Sequence, residues 1–261
     1  MLVEQTLFGV VDKVQVAIDR IRQFEPPEGY YVAFSGGKDS CVVKDLVKRA
    51  GVKAEFHFNR SMEAPEVIYY IREHHKDVIW HRPNHTMWEL IVKNGIPPTT
   101  KMRYCCREMK ENDVTAKGRL VVTGVRWEES AKRRTRQMVE MCRQDPSKRY
   151  LHPIIDWSDE EVWDYIKKNE LPYCSLYDEG FPRVGCVMCP MGRSERMKME
   201  AKRWPKIAQA YKAACQRAYD ARIAKGNNNT KWHNGIEMYN WWIGLSEQQK
   251  ENPDQTVFFF D

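Results

Sequence analysis

No stretch of this 261-residue chain approaches the run of about 20 apolar residues that a membrane helix needs. The longest candidates, Tyr30–Phe34 and Val257–Phe260, are far shorter, so no membrane partner is expected. Cysteine is sparse as well: eight residues in the whole chain, too few for a secreted disulfide scaffold. Charge of one sign is modest, because 42 Lys and Arg against 36 Asp and Glu leave only +6, too little by itself to argue for nucleic acid. A composition 42% hydrophobic and 30% charged excludes a disordered chain, and this length suffices to bury a core without staples. The opening MLVEQTLFGVVDKVQV carries acids early and has no small-residue cleavage site, so no signal peptide and a cytoplasmic protein are expected. There is no internal repeat, and the run Asn227–Asn229 is the one low-complexity element.

What is present is an alternation of strand-like and helix-like segments. Residues 3–24 place Val10, Val11, Val14, Ala17, Ile18 and Ile21 on one stripe and predict a helix that Pro26 and Pro27 end. Strands are expected at Tyr30–Phe34, Lys53–Phe58, Val78–Trp80 and Arg119–Val125, with helices after residue 40, over Pro65–His75 and over Thr86–Lys93. Ser158-Asp159-Glu160-Glu161 reads as a capping box that opens another helix. The pattern predicts an α/β fold, a parallel sheet with helices on both faces, over residues 1–170. Residues 171–193, rich in Gly, Pro and Cys, lack periodicity, and 197–224 return to helical spacing, so 171–261 are expected to form a cysteine-containing loop and a mostly helical part. In that part Trp232, Tyr239, Trp241, Trp242 and Phe258–Phe260 read as core-closing aromatics rather than as a stacking surface.

The first expected strand runs into Ser35-Gly36-Gly37-Lys38-Asp39-Ser40 and then into a helix. This is an anion-site arrangement. Gly36 and Gly37 let main-chain N–H groups approach a phosphate, and the helix N-terminus adds partial positive charge. Ser35 and Ser40 offer hydroxyls, Lys38 a point charge, and Asp39 a ligand for Mg²⁺ or a helix cap. The order of residues is not that of the ATPase P-loop, G-x-x-x-x-G-K-[ST]. Gly124-Val125-Arg126 ends a later strand on the sheet edge where α/β proteins bind ligands, which puts Arg126 in reach of a phosphate or sulfate. Of Lys132, Arg133, Arg134 and Arg136 most are expected to be solvated, with Arg133 or Arg136 touching an anionic substrate or a nucleic-acid backbone.

Cys105 and Cys106 are adjacent, and 80 positions separate Cys106 from Cys186, which opens a Cys-x-x-Cys with Cys189. Adjacent cysteines sit awkwardly around a single zinc ion, whereas a cubane iron–sulfur cluster takes one thiolate at each of four corners. Zinc, buried free thiols or a disulfide remain alternatives. Cys41 reads as core, Cys174 as structural or as a sulfur-handling thiol, and Cys142 and Cys215 follow no pattern.

SGGKDS after an apolar strand resembles the PP-loop of the adenine-nucleotide alpha-hydrolase superfamily. Thr123-Gly124-Val125-Arg126-Trp127-Glu128-Glu129-Ser130, His152-Pro153-Ile154-Ile155-Asp156-Trp157 and Leu176-Tyr177-Asp178-Glu179-Gly180-Phe181 before Gly185-Cys186 are similar to segments of the phosphoadenosine-phosphosulfate (PAPS) reductase family. The CC…CxxC order is similar to that of its cluster-bearing members. The resemblance implies an enzyme of sulfur metabolism with a 4Fe-4S cluster on Cys105, Cys106, Cys186 and Cys189. It implies binding of ATP or an adenylylated sulfur nucleotide, with Mg²⁺, on Ser35, Gly36, Gly37, Lys38, Asp39, Ser40, Gly124 and Arg126, with Lys38, Asp39 and Arg126 catalytic. The family's reductases carry a nucleophilic cysteine in a Glu-Cys-Gly-Leu-His motif; here no cysteine follows Cys215 and no Cys-Gly occurs. The expectation is therefore an ATP pyrophosphatase of the DNA phosphorothioation or nucleic-acid thiolation type, with a DNA or RNA acceptor, a sulfur donor protein of the cysteine desulfurase type and a homo-oligomeric state. Two alternatives are a reductase making sulfite from an adenylylated nucleotide and a non-catalytic nucleotide- or cluster-sensing subunit.

Overall fold

The computed structural model describes residues 2–7, 9–111, 114–142, 145–227 and 231–245. The chain divides into two compact units, each made of two segments: Met1–Arg82 with Asn112–Gly185, and Pro83–Glu111 with Cys186–Asp261. The expected linear break at residue 170 does not follow this division. The segment around Cys105 and Cys106 falls in the unit of the C-terminal helices rather than in that of the sheet.

The first unit opens with a hairpin, β1 (Val3–Thr6) and β2 (Gly9–Asp12), followed by α1 (Lys13–Gln23). This corrects the helix expected over 3–24. Gly9, at φ +120°, opens β2 opposite Thr6, and Val10 is exposed in a strand rather than inward on a helix. Asp12 then caps α1, its carboxylate accepting the N–H groups of Val14 and Gln15. The remaining elements follow the alternation closely: β3 (Tyr30–Ala33), α2 (Lys38–Ala50), β4 (Ala54–Asn59), α3 (Pro65–His74) and β5 (Val78–His81). A left-handed Gly51 closes α2, and Pro65 opens α3 at its first turn.

In the second unit, Thr86 and Glu89 form a capping box at the start of α4 (Met87–Asn94), and a short helical turn, α5, covers Tyr104–Cys106. Back in the first unit come β6 (Leu120–Val122), the single turn α6 (Ala131–Arg134), β7 (Val139–Met141) and β8 (Arg149–Leu151). The capping box of Ser158 and Glu161 opens α7 (Asp159–Lys168). The sheet runs β5-β4-β3-β6-β8-β7, parallel throughout except for β7, which pairs antiparallel with β8. Val32, Val122 and Leu151 in the central strands, and Val42, Val43 and Leu46 on α2, are fully buried.

The second unit is helical: α8 (Arg193–Arg203), α9 (Pro205–Ala224) and α10 (Gly235–Trp242) join α4. Its core is aromatic. Trp88 and Trp242 both pack on Tyr211, and the Trp242 indole donates to the Pro98 carbonyl. Trp232, Tyr239 and Trp242 are buried, in line with the core reading of these aromatics; Phe258–Phe260 lie outside the described residues. Gly235 lets α10 approach α9 closely, since a Cβ there would lie 2.1 Å from the Gln216 Cα. Among the described residues no helix is long and apolar enough to cross a membrane.

Candidate functional site

The loop after β3 is held open by its own hydroxyls. Ser40 Oγ donates to the Gly37 carbonyl at 2.7 Å and accepts the Ser35 N–H at 3.2 Å, while Ser35 Oγ lies 3.2 Å from Ser40 Oγ. Gly36 sits at φ +73°, a conformation that favours glycine, and a Cβ there would press on the Ile71 side chain at 2.9 Å. The serines thus shape the loop rather than projecting into it. Gly124 has a similar purpose: a Cβ would lie 2.9 Å from the Asp39 main chain, so glycine lets the chain after β6 approach the first turn of α2.

Around that turn the charges are interlocked. Arg126, 2% exposed, donates from Nε to Asp39 Oδ1 at 2.6 Å and from Nη2 to Asp159 Oδ1 at 2.8 Å. Its Nη1 reaches the Trp157 carbonyl at 3.2 Å and Glu128 at 3.3 Å. Lys38 Nζ lies 2.8 Å from Asp159 and 3.5 Å from Asp39. Burial alone would raise the Asp159 carboxyl, but Lys38 and Arg126 outweigh it and hold that group below the usual carboxylate range. The three residues expected to be catalytic, Lys38, Asp39 and Arg126, are therefore brought together. Arg126 is turned toward carboxylates and positions them.

A cleft of about 470 Å³ opens over this network, lined by the glycine loop, Thr123–Arg126, Glu128, Glu129, Arg133, Asp159, Tyr177 and Pro182–Val184. Burial, then the neighbouring Arg183, lower Arg133 to about 10, and both arginines line the cleft. Arg133 also pairs with Glu129, whereas Arg136 pairs with Glu140. Tyr177 is the most informative residue that sequence reasoning passed over. Its hydroxyl accepts the Lys38 N–H at 2.9 Å and a second N–H from Val184, so a phenol oxygen stands on an amide of the phosphate loop. Asp159 and Arg183 were also passed over; Asp159 is held at the cleft by Lys38 and Arg126, and Arg183 lines it.

Cys41 and Cys174 are buried, with Cys41 pushed up to about 12 by burial. Cys41 lies 3.1 Å from the Tyr70 hydroxyl, which also meets His75 Nε2 at 2.8 Å and donates to the Pro172 carbonyl at 2.7 Å. Lys44 Nζ reaches His75 Nδ1 at 3.0 Å, which makes a buried strap under the 172–174 segment.

The second unit holds Cys105, Cys106, Cys186 and Cys189, all partly buried. Cys105 and Cys106 hydrogen-bond each other, and Cys105 also feels Cys186 and Cys189. The hydrogen bond from Cys105, together with the Arg103 guanidinium 3.4 Å from its sulfur, lowers the Cys106 thiol, while Cys105 is raised. Among the described residues no three His, Cys, Asp or Glu side chains are drawn together as a single-ion site. The donor set of four thiols within electrostatic reach of one another, beside a guanidinium, fits the chemistry of a thiolate-bound metal centre.

A glycine loop at the carboxyl end of a central parallel strand, under a cleft lined by cations, is the arrangement of an α/β protein of the PP-loop kind. The chain belongs to the phosphoadenosine phosphosulfate reductase domain family, whose pattern it matches over residues 29–192. It is 33% identical, over 69% of its length, to an uncharacterised protein of Methanocaldococcus jannaschii, of which the match covers 41%. It is 28% identical to an adenosine 5'-phosphosulfate reductase of Staphylococcus haemolyticus, over 65% of this chain and 74% of that one. The chain thus spans about two fifths of the length of the first relatives and more of the second. A crystal structure of PAPS reductase from Candida auris in a phosphate complex shares the fold, with a TM-score of 0.53 at 17% identity, over 66% of this chain and 89% of that one.

Proposed function

We propose that the chain binds ATP or an adenylylated sulfur nucleotide in the cleft of the first unit and activates an acceptor there for sulfur incorporation. With ATP, an acceptor oxygen attacks the α-phosphorus, the bond from that phosphorus to its bridging oxygen breaks, and pyrophosphate leaves with the electron pair. The negative charge carried off must be met by groups already in place. The observation that carries the reading is the conjunction, in one cleft, of a glycine loop, Lys38, and Arg133 beside Arg183. Lys38 and the loop amides take the phosphates; Arg126 orients Asp39 and Asp159. Asp39 would hold Mg²⁺, which supplies charge neutralisation on phosphate oxygens when bound.

Cys105, Cys106, Cys186 and Cys189 would hold a 4Fe-4S cluster, with zinc as the rival; such a cluster supplies electron-transfer or sulfur-handling chemistry. The acceptor is DNA or RNA, the sulfur comes from a donor protein of the cysteine desulfurase type, and the enzyme acts in the cytoplasm as a homo-oligomer.

The relatives named adenosine 5'-phosphosulfate reductase favour a second reading, sulfite formation from an adenylylated sulfate. One experiment decides. Protein purified without oxygen is given ATP with DNA or RNA acceptors, and separately adenylylsulfate or PAPS with a dithiol. Acceptor-dependent pyrophosphate supports the proposal and sulfite establishes the second reading. Tight ATP binding without turnover in either assay marks a nucleotide-sensing subunit. Iron, sulfide and zinc content, with a broad absorbance near about 400 nm, decides cluster against zinc.

A further inference from the structure

The Cys186-Val187-Met188-Cys189 turn contains an uncommon backbone. Met188 is not glycine, yet it sits in the left-handed region at φ +56°, which turns its N–H away from any helix or strand partner. That N–H is taken by Glu200, a carboxylate 2% exposed on α8, whose Oε2 accepts it while Oε1 accepts Arg196 Nε at 2.7 Å. Val187 and Met188 are buried, Tyr211 donates to the Val187 carbonyl at 3.4 Å, and the Met191 N–H is directed at the Cys189 sulfur.

A buried carboxylate close to thiols that ionise when they hold a metal is costly unless its charge is matched. Arg196 matches it. The main-chain N–H that the Glu200 carboxylate accepts lies between the two cysteines, so the charge pair acts on the shape of the turn. We propose that Glu200, held by Arg196, is the positioning residue of the Cys186–Cys189 turn. By fixing the Met188 amide it sets the spacing of the two thiols and hence the retention of the metal centre. This rests on the reading that the four cysteines hold a cluster.

The test compares Glu200→Gln, which keeps an oxygen acceptor, with Glu200→Leu, which fills similar space without one. Each full-length variant, purified without oxygen, is scored for iron and sulfide per chain and for the rate of bleaching by a chelator. The metal-free forms are scored for alkylation rates of Cys186 and Cys189 relative to Cys105 and Cys106, with ATP binding as a check that the first unit is intact. Glu200→Leu is expected to bleach at least tenfold faster and to alkylate faster at Cys186 and Cys189 alone; Glu200→Gln should stay within about threefold of wild type. Equal bleaching and equal alkylation in Glu200→Leu and wild type would overturn the proposal. If wild type holds no iron, the cluster reading fails by itself, and the alkylation rates still decide whether Glu200 sets the turn.

Discussion

The two units solve opposite electrostatic problems. The first contains as many acids as bases, so the whole excess of +6 belongs to the second. In the first unit cations are met one by one: Lys38 and Arg126 share Asp39 and Asp159, and Arg133 faces Glu129. A charged nucleotide there meets groups that are already oriented, which avoids reorganisation at the moment of reaction. In the second unit the thiols are partly buried and a guanidinium stands beside one of them. Excess positive charge is what a cluster of thiolates requires of its surroundings. Under the proposed function, nucleotide chemistry would be served by the balanced, interlocked unit and thiol chemistry by the unbalanced one.

The most severe way to break this comparison is to remove each unit's chemistry separately. Lys38→Ala should weaken ATP binding by roughly 10- to 100-fold, the usual range for losing a charged hydrogen-bonding group, and leave iron content unchanged. Cys186→Ser should remove most of the iron and leave ATP affinity within about twofold. Isothermal titration with iron analysis on both proteins checks this, and a variant that loses both properties would show that the units do not act separately.

Next in size are two tight glycines, one in each unit. Gly235→Ala pushes a methyl into the α9 main chain and should cost about 1–3 kcal/mol, seen as a lower thermal midpoint with normal ATP affinity. Gly124→Ala presses on Asp39 and should lower both stability and ATP affinity. Equal effects of the two on nucleotide binding would contradict the separation.

Acid should soften the first unit before the second in metal-free protein. Burial lowers His75 and His152 to about 4 from 6.5, so the fold favours both neutral. Their contribution is complete above pH 6.5 and is lost progressively as pH falls toward 4, because the unfolded chain binds those protons first. Hydrogen exchange at pH 7.5 and 5 should therefore show the first unit's amides, around the Lys44–His75–Tyr70 strap and Thr123–His152, losing protection. A His75→Gln, His152→Gln double variant should flatten that dependence.

The smallest expected effect concerns Tyr177. Tyr177→Phe releases the Lys38 N–H, and if phosphate takes that position ATP affinity should rise roughly fivefold, about 1 kcal/mol, the worth of one such bond. Unchanged affinity would mean that the hydroxyl holds the loop without competing with the ligand.

Much of the fold was legible because its signals are local. The SGGKDS loop, Pro65 at a helix start, Gly51 after a helix and the capping boxes of Thr86 and Ser158 each act within a few residues. The hairpin at 3–12 was misread because Val10 and Val11 suit a helical stripe as well as a strand, and the turn at Gly9 decides between them. The short strands β7 and β8 carry too few residues for a period to emerge.

The candidate site divides along the same line. Sequence by itself picked out the glycine loop, the cation at 126 and the four cysteines as candidates, because residue type and spacing suffice to suggest a chemistry. Only the tertiary structure decided that Arg126 grips Asp39 and Asp159, that Tyr177 stands on the Lys38 amide, and that residues 83–111 fold with the C-terminal helices. Those outcomes depend on contacts between residues tens of positions apart, which no local pattern specifies. The last of them is what brings the two cysteine pairs, 80 positions apart in the chain, into one unit.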